Sequence, residues 1–211
     1  MAYDLEEQEQ LAELKGWWRD NGTLVLGAVA AAAIAFAGWE GWNAWHAKQA
    51  HQAAALYEAF GKALQKGEAR DVREAGGALE AQYPGTLYAS MAALAQAHFL
   101  FEQKDLKGAK AQLQWVIERS ASEEMRDLAR LRLAGVLLDE KAYGEALAAL
   151  AAKHAQTLDA QFAARRGDVL LAKGQREEAK AAYREALAKA GGGDGEAFRD
   201  SVQLRLEGLG G

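Results

Sequence analysis

Residues Asn21 to Trp39 carry no charge, and from Leu24 to Trp39 the chain reads LVLGAVAAAAIAFAGW, apolar at every position. As an α-helix such a stretch covers roughly 29 Å, about the hydrocarbon thickness of a bilayer. Trp17 and Trp18 stand just before it, and Trp39, Trp42 and Trp45 stand at its far end. Indole rings favour the headgroup zones, where one end of the ring is apolar and the other wet. A helix buried in a soluble core has no use for Trp at both ends. A cleaved signal peptide begins with a short basic segment, whereas the segment here is long and acidic. The expectation is a single membrane span over 21–45 with these five Trp as interface anchors. Ala contributes little to insertion, so Leu, Val, Ile, Phe and Trp must carry it.

Orientation rests on few residues. Lys15 and Arg19 precede the span; Lys48 and then Lys62 are the first basic residues after it. Basic residues stay on the cytoplasmic side, which points to a cytoplasmic N-terminus. In residues 1–20, Asp4-Leu5-Glu6-Glu7 has capping-box spacing, and Leu11, Leu14 and Trp18 form one apolar stripe. These residues are expected to form a short cytoplasmic amphipathic helix.

The remaining chain is helical in character. Ala alone accounts for 49 residues, β-branched residues are scarce, and there is one Pro. Breaks fall at Gly67, Pro84-Gly85, Lys104-Asp105, Lys141-Ala142, Gly174 and Gly191–Gly195. Aligning the chain with itself from His98, Gly135 and Asp168 reveals a repeat. Ala97, Ala134 and Gly167 become equivalent, as do Leu100, Leu137 and Leu170. Ala109, Ala146 and Ala179 also coincide, and so do Leu113, Leu150 and Tyr183. Paired antiparallel helices need small residues where their backbones approach, and large ones to fill the space to the next pair. This is the tetratricopeptide pattern, although Ala93, Arg130 and Ala163 stand where an aromatic is usual. A degenerate earlier unit contains Ala75 and Leu79. Ser120–Glu123 has capping-box spacing, Asp105 and Thr157 read as N-caps, and residues 196–209 read as a capping helix with Phe198, Val202, Leu206 and Leu209 facing inward. The predicted fold is all-α: one transmembrane helix, then a tetratricopeptide-like α-solenoid of antiparallel helix pairs. Its segments are 1–20, 21–45, a connecting helix over 46–66, repeats over 67–190, and a Gly-rich loop with a capping helix over 191–211.

Little in the sequence points to catalysis. No Cys is present, which excludes disulfides, thiolate metal sites and a Cys nucleophile. His46, His51, His98 and His154 lack the i, i+4 spacing of a helical metal site. Phosphate-loop and nucleophile-elbow motifs are missing. The net charge of −5 comes from residues 1–40, with two basic and seven acidic side chains; the rest carries 23 of each. A neutral, finely mixed surface gives no field to hold nucleic acid. The expectation is a protein without catalytic residues, cofactor or metal. Repeats of this type offer a concave face lined by the first helix of each pair. Mapping that face gives Met91, Leu94, His98 and Phe101, then Leu128, Leu131, Gly135 and Leu138, then Gln161, Ala164, Asp168 and Leu171. The candidate protein-binding residues drawn from it are Met91, Leu94, His98, Phe101, Leu131, Leu138 and Asp168. A largely apolar groove suits a hydrophobic stretch of polypeptide or a partner's helix.

The order of these features resembles one family. LKGWWRDNGTLVLGAVAAAAIAFAGWEGWNAWH at 14–46 and YPGTLYASMAALAQAHF at 83–99 look like the YfgM-type ancillary subunits of the bacterial Sec translocon. The resemblance implies an inner-membrane protein with a cytoplasmic N-terminus and a periplasmic repeat domain. The partners it implies are the SecYEG translocon, a PpiD-type periplasmic chaperone and unfolded secretory polypeptides, alongside the lipid bilayer. It implies neither enzymatic activity nor a cofactor. The alternative is an anchored scaffold for another envelope process, cell division or outer-membrane biogenesis.

Overall fold

A computed structural model describes residues 2–191 and 195–210, with side chains from residue 10 onward. The side chains of the Asp4–Glu7 capping box and the middle of the Gly191–Gly195 loop lie outside the described residues. Among the described residues every regular element is helical: α1 (Ala2–Lys66), α2 (Ala69–Gln82), α3 (Leu87–Glu102), α4 (Leu106–Arg119), α5 (Glu123–Asp139), α6 (Tyr143–Leu150), a 3-10 turn (Gln156–Leu158), α7 (Asp159–Ala172), α8 (Arg176–Lys189) and α9 (Gly195–Glu207). The chain divides into two compact units, Met1–Lys48 and Gln49–Gly211. Segments 1–20, 21–45 and 46–66 all lie on α1, and no turn separates them.

In the second unit the helices pack as antiparallel pairs, α3 with α4, α5 with α6 and α7 with α8. The end of α1 and α2 occupy the place of the degenerate first unit, with Phe60, Val72 and Leu79 fully buried. The sequence repeat explains the packing. Ala109, Ala146 and Ala179 are fully buried, as small residues must be where two helix axes close to about 8–10 Å. Leu113, Leu150 and Tyr183, one turn further on, fill the space beyond and are also buried. Each such side chain contributes about 1.5–3 kcal/mol by leaving water. At the Gly167 position the helices approach closely: a Cβ there would lie 2.5 Å from the Tyr183 ring. Phe198, Val202, Leu206 and Leu209 of the last segment pack on α7 and α8 through Ala163, Ala179 and Tyr183.

Three turns inside the pairs share one hydrogen-bond recipe. A left-handed residue follows the first helix: Lys104 (φ 64°), Lys141 (φ 60°) or Gly174 (φ 87°). Its N–H donates to Phe101, Leu138 or Leu171, and the next N–H reaches back to Leu100, Leu137 or Leu170, each at 2.9 Å. This is the Schellman arrangement, which satisfies carbonyls that the helix end leaves open. Asp105 then caps α4 by accepting from Gly108 N–H at 2.9 Å, as its sequence position requires.

Two expected caps fall elsewhere. Ser120 does not begin α5; it ends α4, and its hydroxyl is buried against that of Ser90 at 2.8 Å. Ser122 is the N-cap, accepting from Met125 N–H at 3.2 Å. Thr157 lies inside the 3-10 turn, and Leu158 occupies the cap position of α7. The reason lies upstream. α6 is only eight residues long, and the segment after it is held by the fully buried Asp127, which accepts from Ala155 N–H at 2.9 Å and pairs with Arg130 at 2.5 Å.

Candidate functional site

The first helices of successive repeats line a groove of about 750 Å³. α3 supplies Met91, Leu94, His98 and Phe101, spaced to share one helical face. From α5 come Met125, Leu128, Gly135 and Leu138, while Tyr57 of α1 and Leu113 of α4 complete the apolar lining. Leu94 is almost wholly buried and forms floor rather than rim. Phe101 is half-buried, with the Lys104 ammonium 5.8 Å from its ring centre. Two methionines at separate points of the wall suit a surface that adapts its shape to what lies in it.

His98 stands at the exposed rim, its Nε2 3.3 Å from Glu102 Oε1 one turn along the same helix. Leu131 and Asp168 lie outside the groove. Leu131 packs against the core from a half-buried position. Asp168 is a structural tie: it accepts from the Tyr183 hydroxyl and from Arg205, both at 2.9 Å, and so joins α7 to α8 and α9. Burial and the Asp168 charge together hold the Tyr183 phenol above its ordinary pKa.

Among the groove residues that escape the sequence mapping are two arginines, Arg132 and Arg165. They were recoverable: the same alignment that equates His98, Gly135 and Asp168 also equates Ala95, Arg132 and Arg165. Arg132 donates to the Leu94 carbonyl at 3.2 Å, a bond between α3 and α5. Its partial loss of solvent lowers its pKa from the ordinary arginine value. The Arg165 guanidinium lies against Gly135, where a Cβ would meet it at 3.8 Å, and pairs loosely with Asp168 at 3.5 Å. Asp139 is the acidic residue of the lining. The groove is therefore apolar with a positively charged side. Among the described residues no group of three or more His, Asp or Glu is placed to hold a metal.

The five tryptophans expected at the membrane interface belong to the other unit. Leu24 and Ile34 are both 74% exposed, and Phe36 is 61% exposed. A soluble core helix would hide such residues; here no described part of the chain covers them. Gln10–Lys66 is long and apolar enough to cross a bilayer. Trp17, Trp18, Trp39, Trp42 and Trp45 are each about half exposed. Trp18 lies along the helix over Gly22, where a Cβ would come within 3.2 Å of the indole. Asn21 turns inward and donates to the Trp17 carbonyl at 3.1 Å. At the far end Trp42 and Trp45 flank His46, with ring centres 4.6 and 4.8 Å from the imidazole.

Residues 15–211 match the family described as a tetratricopeptide repeat-like domain. A Neisseria gonorrhoeae protein named ancillary SecYEG translocon subunit is 30% identical over 214 residues, covering 99% of this chain and 100% of the relative. The chain is likewise 30% identical to an Aggregatibacter actinomycetemcomitans protein of the same name over 209 residues, 99% of this chain and 100% of the other. A Haemophilus influenzae protein, again so named, is 29% identical over 186 residues, 88% of this chain and 91% of its own. No solved structure gives a significant match.

Proposed function

The chain belongs to the family of ancillary SecYEG translocon subunits, and we propose that it serves as a non-catalytic, single-pass subunit of the bacterial inner membrane. Its N-terminus is cytoplasmic and its repeats are periplasmic. There the groove between α3, α5 and α7 receives a chaperone of the PpiD type or an apolar stretch of a secretory polypeptide leaving the channel. The groove carries this reading: an apolar concavity rimmed by polar side chains is what a repeat domain offers to another polypeptide. Tethering adds to it, because a domain fixed beside a channel meets each emerging segment at a raised effective concentration.

Photo-crosslinking in intact membranes tests the assignment. A crosslinker at Phe101 is expected to capture a periplasmic chaperone or a nascent secretory chain, and one at Trp18 to capture a channel subunit. Adducts from both positions confined to division or outer-membrane factors would sink the assignment and favour the scaffold alternative. Phe101→Ser is the variant of choice for loss of capture, since Phe101 is half-buried whereas Leu94 is part of the core. Orientation has its own test. The chain has no native thiol to mask, so a single Cys placed in α9 should react with an impermeant maleimide from the periplasmic side.

A further inference from the structure

We infer that the groove selects apolar segments that carry a carboxylate, and that Arg132 and Arg165 are the residues that read it. The inference rests on the groove being a polypeptide site and adds the chemistry of the occupant. Arg132 and Arg165 occupy equivalent positions of adjacent repeats, and both face the same concavity. Their helices, α5 and α7, pack directly on one another. Of the other ionisable groups in the lining, His98 is engaged with Glu102 at the rim, and Asp139 is solvent-exposed. Two guanidinium groups against one exposed carboxylate leave the groove positive.

Such charges belong in an apolar groove only at a cost. A guanidinium that has lost part of its hydration gains from a carboxylate more than a fully solvated one does. Arg132, although an exposed residue, is partly in that state: desolvation lowers its pKa, and it is held toward the groove by donating to the Leu94 carbonyl at 3.2 Å. Arg165 is held only loosely by Asp168, whose near partners are Tyr183 and Arg205. Gly135 beside it carries no side chain, so the guanidinium face stays open toward the groove. The planar fork matches a carboxylate with two parallel hydrogen bonds. Met91, Met125 and Leu128 then receive the apolar neighbours of that acidic residue.

The test uses the full-length protein in lipid nanodiscs and three short fluorescein-labelled peptides, C-terminally amidated, of the same Leu- and Ala-rich sequence with one central Glu, Gln or Lys. Wild type is expected to bind the Glu peptide about tenfold more tightly at low salt, an advantage that shrinks as salt rises. Arg132→Gln with Arg165→Gln should bind the Glu and Gln peptides as wild type binds the Gln peptide. Arg165→Glu, which replaces the loose Asp168 pairing with a second carboxylate, should instead favour the Lys peptide. Equal binding of the Glu and Gln peptides by wild type overturns the inference while leaving the groove intact as a binding site. Failure of every peptide to bind overturns the polypeptide-groove reading itself, and this inference with it.

Discussion

The two units use alanine in opposite ways. In residues 28–37 Ala is exposed at every one of its positions, together with Val29, Ile34 and Phe36. In the repeats Ala89, Ala92, Ala93, Ala97, Ala109, Ala134, Ala146 and Ala179 are buried, most of them completely. The residue is the same, and what differs is the periodicity around it. In the span no polar face exists, so the helix has no inside and must find apolar surroundings elsewhere. In the repeats Ala recurs at the points where axes approach, and its small volume sets how closely they can do so. One unit needs its alanines to be unobtrusive in lipid; the other needs them to be small.

Substitutions sharpen that contrast. The largest effect is expected for Ile34→Arg. A charge at the middle of a span costs about 3 kcal/mol of insertion, and an Ala-rich helix has little in reserve. The variant should be released from membranes by alkaline carbonate while its repeat unit melts where wild type does. Retention in the membrane would show that something other than lipid covers the helix. Next comes Gly167→Val, which forces atoms into the 2.5 Å approach to Tyr183. Overpacking of this kind costs about 2–3 kcal/mol and should lower the melting temperature of the repeats by roughly 5–10 °C. Gly38→Val has nothing within 4 Å to strike, so its melting should match wild type; equal losses in both variants would break the comparison.

The smallest effect concerns a polar exception within the repeats. Glu80 on α2 is half-buried, its Oε1 has no hydrogen-bond partner among the described residues, and desolvation raises its pKa from 4.5 to about 7. The fold thus binds this proton more tightly than the unfolded chain does. Stability from the group is complete below pH 4.5 and is lost as pH rises through about 7. With the shift discounted for the group's partial exposure to solvent, thermal melts at pH 5 and pH 8 should show wild type weakening by about 1–2 kcal/mol, and Glu80→Gln should remove most of that slope. A slope that Glu80→Gln leaves untouched would place the titrating group elsewhere.

What could be read from the chain follows the same division. The span announced itself because membrane burial leaves a one-dimensional mark, an uncharged run bracketed by Trp. The repeats were legible through spacing: Ala109, Ala146 and Ala179, or Lys104, Lys141 and Gly174, recur because each pair solves one geometric problem. Features that depend on a distant partner were not legible. Ser120 looks like a helix start until Ser90 is brought beside it, and Asp168 looks like a groove residue until Tyr183 and Arg205 claim it. Arg132 and Arg165 form an intermediate case. Their equivalence was present in the alignment, but a search for the usual apolar positions passes over them.

The three matching turns carry one more consequence. Their shape is fixed by main-chain hydrogen bonds and one left-handed residue, not by any particular side chain, since Lys, Lys and Gly all serve at the apex. Evolution can therefore rewrite the outer tips of the hairpins with any residue that tolerates a left-handed backbone, for solubility or for a new contact, without altering how the paired helices pack.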